Sequence, residues 1–158
     1  MSAINYTFRE FYIPERMMGG IRRYIEHGIR PGDFLTAVIC NNLTDAVGKA
    51  DEENMRNLPA YAAYFYNETD LRCWRSREKM EAWIEMHRLA REKNMNKEYK
   101  DWIDNASYEA LLRRWRFSEN DPIFQGEIGQ YYSDKMAAKR IEIGNTAHVA
   151  ASKRIGWG

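Results

Sequence analysis

The sequence predicts an all-α fold in which short helices form a bundle. Apolar residues recur at spacings of three and four, which is typical of amphipathic helices. Glycine, proline and capping residues interrupt these segments at short intervals. No stretch alternates apolar and polar residues long enough to predict a strand. Hydrophobic residues make up 44% of the 158 residues, which is enough for two small helical modules packed together.

The first predicted helix begins near Pro14 and ends at Gly28. Proline suits the first turn of a helix, and glycine is the usual residue just after its end. The pair Gly19-Gly20 lies inside this helix and weakens it by about 1 kcal/mol per glycine. The pair therefore predicts a close approach of another backbone. The apolar stripe consists of Met18, Ile21, Tyr24 and Ile25.

Two further helices are predicted before residue 67. Asp33 is expected to cap a single helix that ends at Gly48, because a short acidic side chain accepts hydrogen bonds from free helix amides. Asp51 is expected to open the next helix. Pro59 lies within that helix, which predicts a kink there or a break just before the proline.

A fourth helix follows a polar loop and is expected to be capped by Ser76. Residues 91–98 carry no strong apolar period. They are interpreted as a linker between an N-terminal helical module, 1–92, and a C-terminal helical module, 97–158. The alternatives are that the helix continues here in water and that the two modules pack as one unit.

The C-terminal module begins with a short helix capped by Ser107. Asp121-Pro122 predicts a turn that ends at Gly126. Another helix follows and is expected to stop at Gly144, with a last short helix beginning at residue 145 or 146.

Composition excludes several classes of protein. The 24 basic and 23 acidic residues give a formal charge of +1, unlike a DNA mimic or a general nucleic-acid coat. Two cysteines cannot form a multi-bridge disulfide framework. Residues 1–11 lack the apolar run of a signal peptide, and no segment has the roughly eighteen consecutive apolar residues of a membrane span. These features predict a cytoplasmic protein, here of a host cell, without a membrane partner.

Two parts of the chain carry recognisable sequence. Residues 13–83 contain IPERMMGGIRRYIEHGIRPGDFLTAVICNNLTDAVGKADEEN, then FYNE and CW. Residues 102–157 contain WIDNASYEALLRRWRF, DPIFQGEIGQYY and AASKRIGW. Each part resembles a group of small, uncharacterised proteins of bacteriophages and prophages, the second more specifically. The resemblance implies a phage accessory protein of two modules and implies no catalytic residues. Gly19-Gly20 departs from the pattern, where a single small or helix-forming residue is expected.

Acid–base and metal chemistry find little support in the sequence. His27, His87 and His148 lie in three separate segments. None of them belongs to a zinc-binding spacing such as Cys-x-x-Cys or His-Glu-x-x-His. His27 is expected to lie at a helix C-terminus, and His87 shares an apolar stripe with Trp83. We therefore predict no metal site, no cofactor and no catalytic residue.

The two cysteines differ in their neighbours. Cys40 lies among apolar residues and is expected to be the less exposed of the two, as a small core side chain. Cys73 lies between Arg72 and Arg75, and nearby arginines lower the pKa of a thiol. Cys73 is thus the better candidate for a nucleophile, although no histidine lies close to it in the sequence.

Two arginine–tryptophan clusters are the candidate binding sites. The N-terminal cluster contains Arg72, Trp74, Arg75 and Arg77, and the C-terminal cluster contains Arg113, Arg114, Trp115 and Arg116. Arginine offers a planar, permanently charged group for phosphates or carboxylates, and a neighbouring aromatic ring can stack on a base.

The alternative for each cluster is a solvated surface with local ion pairs. In the C-terminal cluster, Trp115 is expected to face inward while its arginines pair with carboxylates such as Glu109 or Glu119. The N-terminal cluster lies in a loop, where binding residues are frequent. Tyr131 is the remaining candidate, because helical spacing allows only one of Tyr131 and Tyr132 to point fully inward.

These observations favour a non-enzymatic binding protein that antagonises host defence, by blocking a host protein or by sequestering a nucleotide signal. The alternatives are a nucleic-acid-binding accessory protein of phage replication or packaging, and a small hydrolase that uses Cys73 or His27. Because aromatic residues are plentiful for a small core, self-association as a homo-oligomer is also expected.

Overall fold

A computed structural model describes residues 6–156, and its fold is all-α, as predicted. The strands among these residues are the two-residue pair β1 (Thr7–Phe8) and β2 (Phe11–Tyr12), which form an antiparallel hairpin. The chain divides into two compact units, 1–90 and 91–158. No helix within residues 6–156 is both long enough and apolar enough to cross a membrane.

Within residues 6–90, unit 1 contains five complete helices and the start of a sixth. They are α1 (Glu15–His27), α2 (Asp33–Ile39), α3 (Leu43–Lys49), α4 (Glu52–Arg56), α5 (Leu58–Glu68) and the first part of α6 (Arg77–Asn105).

The ends of α1 match the prediction, but the role of its glycines differs. Pro14 precedes the first helical residue, and Gly28 ends the helix in the left-handed conformation, with φ 61°. A Cβ atom on Gly20 would lie 3.2 Å from Cδ1 of Leu35. The predicted close approach is therefore made by a side chain of α2 and not by another backbone.

The expectation of one helix from Asp33 to Gly48 is wrong, because α2 ends at Ile39 and α3 starts at Leu43. Asn41 takes a positive φ of 58°, which asparagine tolerates better than most residues. Asn42 then caps α3, and its Oδ1 accepts a hydrogen bond from the amide of Asp45 at 3.1 Å. Capping at Asn42 stabilises the break, because it satisfies an amide that would otherwise lack a partner.

The predicted break before Pro59 is confirmed. Helix α4 ends at Arg56 and α5 begins at Leu58. The side chain of Asn57 lies at the break, where it accepts a hydrogen bond from the amide of Tyr12 and donates one to the carbonyl of Glu53, both at 2.9 Å.

The core of unit 1 contains large side chains with polar ends that are satisfied internally. Tyr24 is fully buried, and its hydroxyl donates a hydrogen bond to the carbonyl of Cys73. The indole N–H of Trp83 donates to the carbonyls of Tyr24 and Ile25, at 3.3 and 3.2 Å. These bonds join α1 to the loop before α6 and to α6 itself.

Residues 91–98 belong to α6, so the helix continues here in water, and all of them except Asn96 are exposed. Unit 2, residues 91–158, contains the end of α6, α7 (Tyr108–Phe117), a 3-10 turn (Pro122–Phe124) and α8 (Gly126–Ile155). Ser107 caps α7 as predicted, accepting a hydrogen bond from the amide of Ala110.

Helix α8 is interrupted at Gly144, where φ is 77° and ψ is 168°. The predicted stop at this glycine is confirmed, and residues 145–155 form a separate helical segment. The main core of unit 2 consists of Ile103, Leu111, Ile123, Ile128 and Tyr132. A second, smaller cluster consists of Tyr108, Leu112 and Ala151.

Candidate functional site

An open apolar groove lies in unit 1 between α2, α3 and α5 and has a volume of about 290 Å³. We refer to it as the groove. Its apolar lining includes Val38, Leu43, Ala46, Pro59, Ala62 and Phe65, and Trp74 lies against it from the loop before α6.

Two features of the sequence create the space of this groove. The break after Ile39 separates α2 from α3, so that the two helices form two walls of the groove. Small side chains line these walls and the third wall, because alanine occupies positions 37, 46 and 62. Larger side chains at these positions would fill the space, as they do in a close-packed core.

Apolar side chains of α3 are also exposed. Leu43 lines the groove with 69% of its surface exposed, and Val47, four residues further along the same helix, is 42% exposed. Exposed apolar patches mark interaction sites in folded proteins.

Trp74 contributes an aromatic ring to the lining of the groove. Its ring centroid lies 6.2 Å from that of Phe65 and 6.5 Å from that of Tyr66. Its indole N–H is buried and has no acceptor among residues 6–156. Buried donors without partners are rare in native proteins, so this donor distinguishes Trp74 from an ordinary packing residue.

Arg75 places a positive charge next to Trp74. Its guanidinium carbon lies 5.1 Å from the Trp74 ring centroid, and its backbone amide donates to the carbonyl of Ile39 at 2.8 Å. Arg75 takes φ 91°. Neither Arg75 nor Arg77 forms a salt bridge within the part of the chain that the structure describes.

Arg72, the third arginine of the N-terminal cluster, points to a different surface. It forms a salt bridge with Asp70 at 2.6 Å, and this bond lowers the pKa of Asp70 to about 2. Its guanidinium lies over Trp83 and lines a separate cavity with Lys79 and Met86. The structure therefore does not bring Arg72 together with Trp74 at the groove.

The C-terminal cluster is used mainly for internal contacts. Arg114 forms a half-buried salt bridge with Asp121 at 2.7 Å and lies 4.5 Å from the Trp102 ring centroid. Arg116 donates to the hydroxyl of Ser152 at 2.6 Å. Arg113 is exposed and lies 3.9 Å from a carboxylate oxygen of Glu109.

One expectation for the C-terminal unit is wrong and another is confirmed. Trp115 does not face inward, since 55% of its surface is exposed. The inward positions on α7 are taken by Leu111 and Leu112. Tyr132 is buried and Tyr131 is the more exposed of the two tyrosines, as predicted. The Tyr131 hydroxyl donates to Asp104 at 2.7 Å, which ties α8 to α6.

The predicted ranking of the cysteines is also wrong. Cys73 is fully buried, whereas Cys40 is only half-buried. Burial raises the pKa of the Cys73 thiol, and Arg72 offsets this only weakly. A buried thiol with a raised pKa is a poor nucleophile at neutral pH.

The three histidines lie in unrelated environments. His27 is exposed beside Glu26, His87 packs against Trp83, and His148 forms a 2.6 Å hydrogen bond with Tyr108. Within residues 6–156, no three side chains of the types that bind metals come together as a metal site.

Sequence reasoning identified Trp74 and Arg75 but missed the walls of the groove. The signal for those walls was the dipeptide Asn41-Asn42 within a predicted helix, because asparagine is a poor interior residue and a good N-cap. No family model, curated protein or solved structure matches the chain.

Proposed function

We propose that this chain is a non-enzymatic binding protein that holds an apolar, acidic segment of a host protein in the groove. The observation that carries the proposal is the apolar groove with Trp74 in its lining and the Arg75 guanidinium over the Trp74 ring. Helical segments bind such grooves by inserting apolar side chains from one face.

Charge supports an acidic segment. Arg75 and Arg77 are exposed and form no salt bridge within residues 6–156. A carboxylate next to the inserted apolar side chains can therefore bind a guanidinium without first displacing an acidic side chain of this chain. Arginine binds carboxylates with two parallel hydrogen bonds, which also fixes the orientation of the segment.

The lining supports a protein segment over a nucleotide signal. The phosphates of a nucleotide require several cations that converge on one point. Beside the groove, Arg75 is supplied by the loop, while Arg72 is bound to Asp70 and lines another cavity. The resemblance to phage accessory proteins supports a host protein as the partner, and blocking its surface would antagonise host defence.

The proposal is tested by capture from a bacterial host lysate with four forms of the protein. The wild type and the control Arg113→Glu, an exposed charge reversal in unit 2, are expected to retain the same host protein. Ala62→Trp fills the groove from an exposed position on α5, and Arg75→Glu reverses the charge. Both are expected to lose the partner while keeping their helical circular dichroism.

The captured protein then supplies a peptide for calorimetry. We expect Ala62→Trp to weaken binding by about tenfold or more, because each well-buried apolar anchor contributes about 2 kcal/mol. Equal affinity of all four forms would refute the site. A small bound mass in native mass spectrometry would favour the nucleotide signal instead. Nucleic-acid binding whose affinity falls steeply with salt would favour the replication or packaging role.

A further inference from the structure

The small cluster of unit 2 forms because the chain folds back at Gly144. Residues on both sides are helical, but Gly144 has φ 77° and ψ 168°, a conformation that is essentially restricted to glycine. Residues 126–155 contain no proline. Gly144 is therefore the one break between residues 126–143 and residues 145–155 of α8.

The segment 145–155 packs on α7, and we refer to this surface of α7 as the seat. Tyr108 and His148 form a hydrogen bond at 2.6 Å, and Arg154 forms a salt bridge with Glu109 at 2.8 Å. Ala151 is buried in a cluster with residues of α7 that is separate from the main core of unit 2. The seat thus binds its segment mainly through residues of α7 that lie outside the main core, with Met136 packed against both clusters.

The same sequence also fits a straight helix. With helical angles at Gly144, α8 becomes continuous, and Ile141, His148 and Ile155 fall at seven-residue intervals along one stripe. In the folded-back form Ile141 is 82% exposed. A straight helix joins this exposed side chain to the stripe that binds the seat, and it carries residues 145–155 away from their own α7.

We propose that the chain forms a homodimer in which residues 145–155 of each copy bind the seat of the other copy. The partner is a second copy because the folded-back segment already demonstrates the fit. Exchange repeats every contact of the seat and removes the unusual conformation at Gly144. Such an exchange of one element across a short hinge is a common route to dimers. This proposal does not depend on the groove.

The main test is Gly144→Ala, with the mass measured by light scattering after size exclusion across a concentration series. Alanine favours the helix over glycine and resists the positive φ, so we expect a dimer at least about tenfold tighter than that of the wild type. Gly126→Ala is the matched control. It also places alanine at a positive φ, 54°, with open space around it, but only the short 3-10 turn Pro122–Phe124 precedes it, so no α-helix can be extended through it.

A second variant inserts two glycines after Gly144, which relaxes the fold-back and is expected to weaken the dimer. A Gly144→Ala protein that remains monomeric with an intact helical signal overturns the proposal. If the Gly144→Ala protein loses its helical signal, the comparison between the wild type and the insertion variant becomes the test of the proposal. Equal dimer dissociation constants for the wild type and the insertion variant would then overturn it.

Charge exchange at the seat separates exchanged dimers from any other dimer. In a Gly144→Ala background, one chain carries Glu109→Lys and the other carries Arg154→Glu. A dimer of either chain with itself places like charges at positions 109 and 154 of each seat. The exchanged mixed dimer instead pairs a positive with a negative charge at both seats. We expect mixed dimers in excess of the statistical share. A purely statistical mixture would show that residues 145–155 are not exchanged.

Discussion

The two arginine–tryptophan clusters resemble each other in sequence but differ in the structure. In the C-terminal cluster, the fold brings acceptors to Arg114 and Arg116, while Trp115 is exposed. In the N-terminal cluster, Trp74 is packed and Arg75 has no salt bridge within residues 6–156. Whether an arginine is available for a partner thus depends on acceptors that distant segments bring to it.

The largest expected difference lies between the two tryptophans. Trp74→Ala removes the contacts with Phe65 and Tyr66 and is expected to lower the free energy of unfolding by about 2 kcal/mol. Trp115→Ala removes a side chain that is mostly in water and is expected to cost less than about 0.5 kcal/mol. Urea denaturation followed by circular dichroism measures both, and equal losses would contradict the comparison.

The next effect concerns the arginines of the C-terminal cluster. Arg114→Ala breaks a salt bridge whose side chains are 27% and 13% exposed, and it leaves Asp121 without its guanidinium. We expect a loss of about 1 to 2 kcal/mol in the free energy of unfolding. Arg113→Ala is the control, because its pair with Glu109 is longer and more exposed. A loss for Arg113→Ala as large as that for Arg114→Ala would contradict this interpretation.

The same pair predicts a pH dependence. The hydrogen bond from Arg114 lowers the pKa of Asp121 below its ordinary value of 3.8. A lowered pKa in the folded state stabilises the protein above the ordinary pKa, and this stabilisation is lost as the pH falls through the folded value. The stability difference between the wild type and Arg114→Ala is therefore expected to shrink below about pH 3.8.

An N-terminal pair supplies the comparison for that measurement. Arg72 lowers the pKa of Asp70 to about 2, but their side chains are 73% and 39% exposed. Water weakens such a pair, so we expect a smaller pH-dependent difference between the wild type and Arg72→Ala. Urea titrations from about pH 3 to about pH 7 measure both differences, at pH values on either side of 3.8, the ordinary pKa of aspartate. A larger pH-dependent difference for Arg72→Ala than for Arg114→Ala would contradict the conclusion that the less exposed pair contributes more.

The smallest expected effect on stability is at the two arginines of the N-terminal cluster that form no salt bridge within residues 6–156. Arg75→Ala and Arg77→Ala are each expected to change the free energy of unfolding by less than about 0.5 kcal/mol, because both side chains are exposed and form no salt bridge within residues 6–156. Thermal denaturation of the purified variants measures this. A marked loss of stability would show that these arginines hold the fold together, as Arg114 does.

Sequence reasoning succeeded where the determining chemistry is local. Asp51, Ser76 and Ser107 each accept a hydrogen bond from an amide three residues further on, so a short stretch of sequence contains the whole interaction. Gly144 stops a helix through its own backbone conformation.

It failed once on a local signal, because the expected helix from Asp33 to Gly48 ignored the cap at Asn42, which bonds an amide only three residues further on. Its other failures arose where a distant segment decides. The bond from Arg116 to Ser152 joins residues in different helices. The apolar period of α7 therefore cannot reveal that Ser152 is the acceptor. The walls of the groove could not be predicted either, because they come from three different helices.

The exposed middle of α6 has a consequence for local opening. Across residues 91–98, every residue except Asn96 is exposed and none is fully buried, so no buried side chain holds these turns against a core. A helix without tertiary packing is marginally stable in water. The amide hydrogens of these turns are therefore expected to exchange with deuterium faster than those near Met80 or Ile103, which are fully buried on the same helix. One uninterrupted helix would then show slow exchange near both ends and fast exchange in its middle.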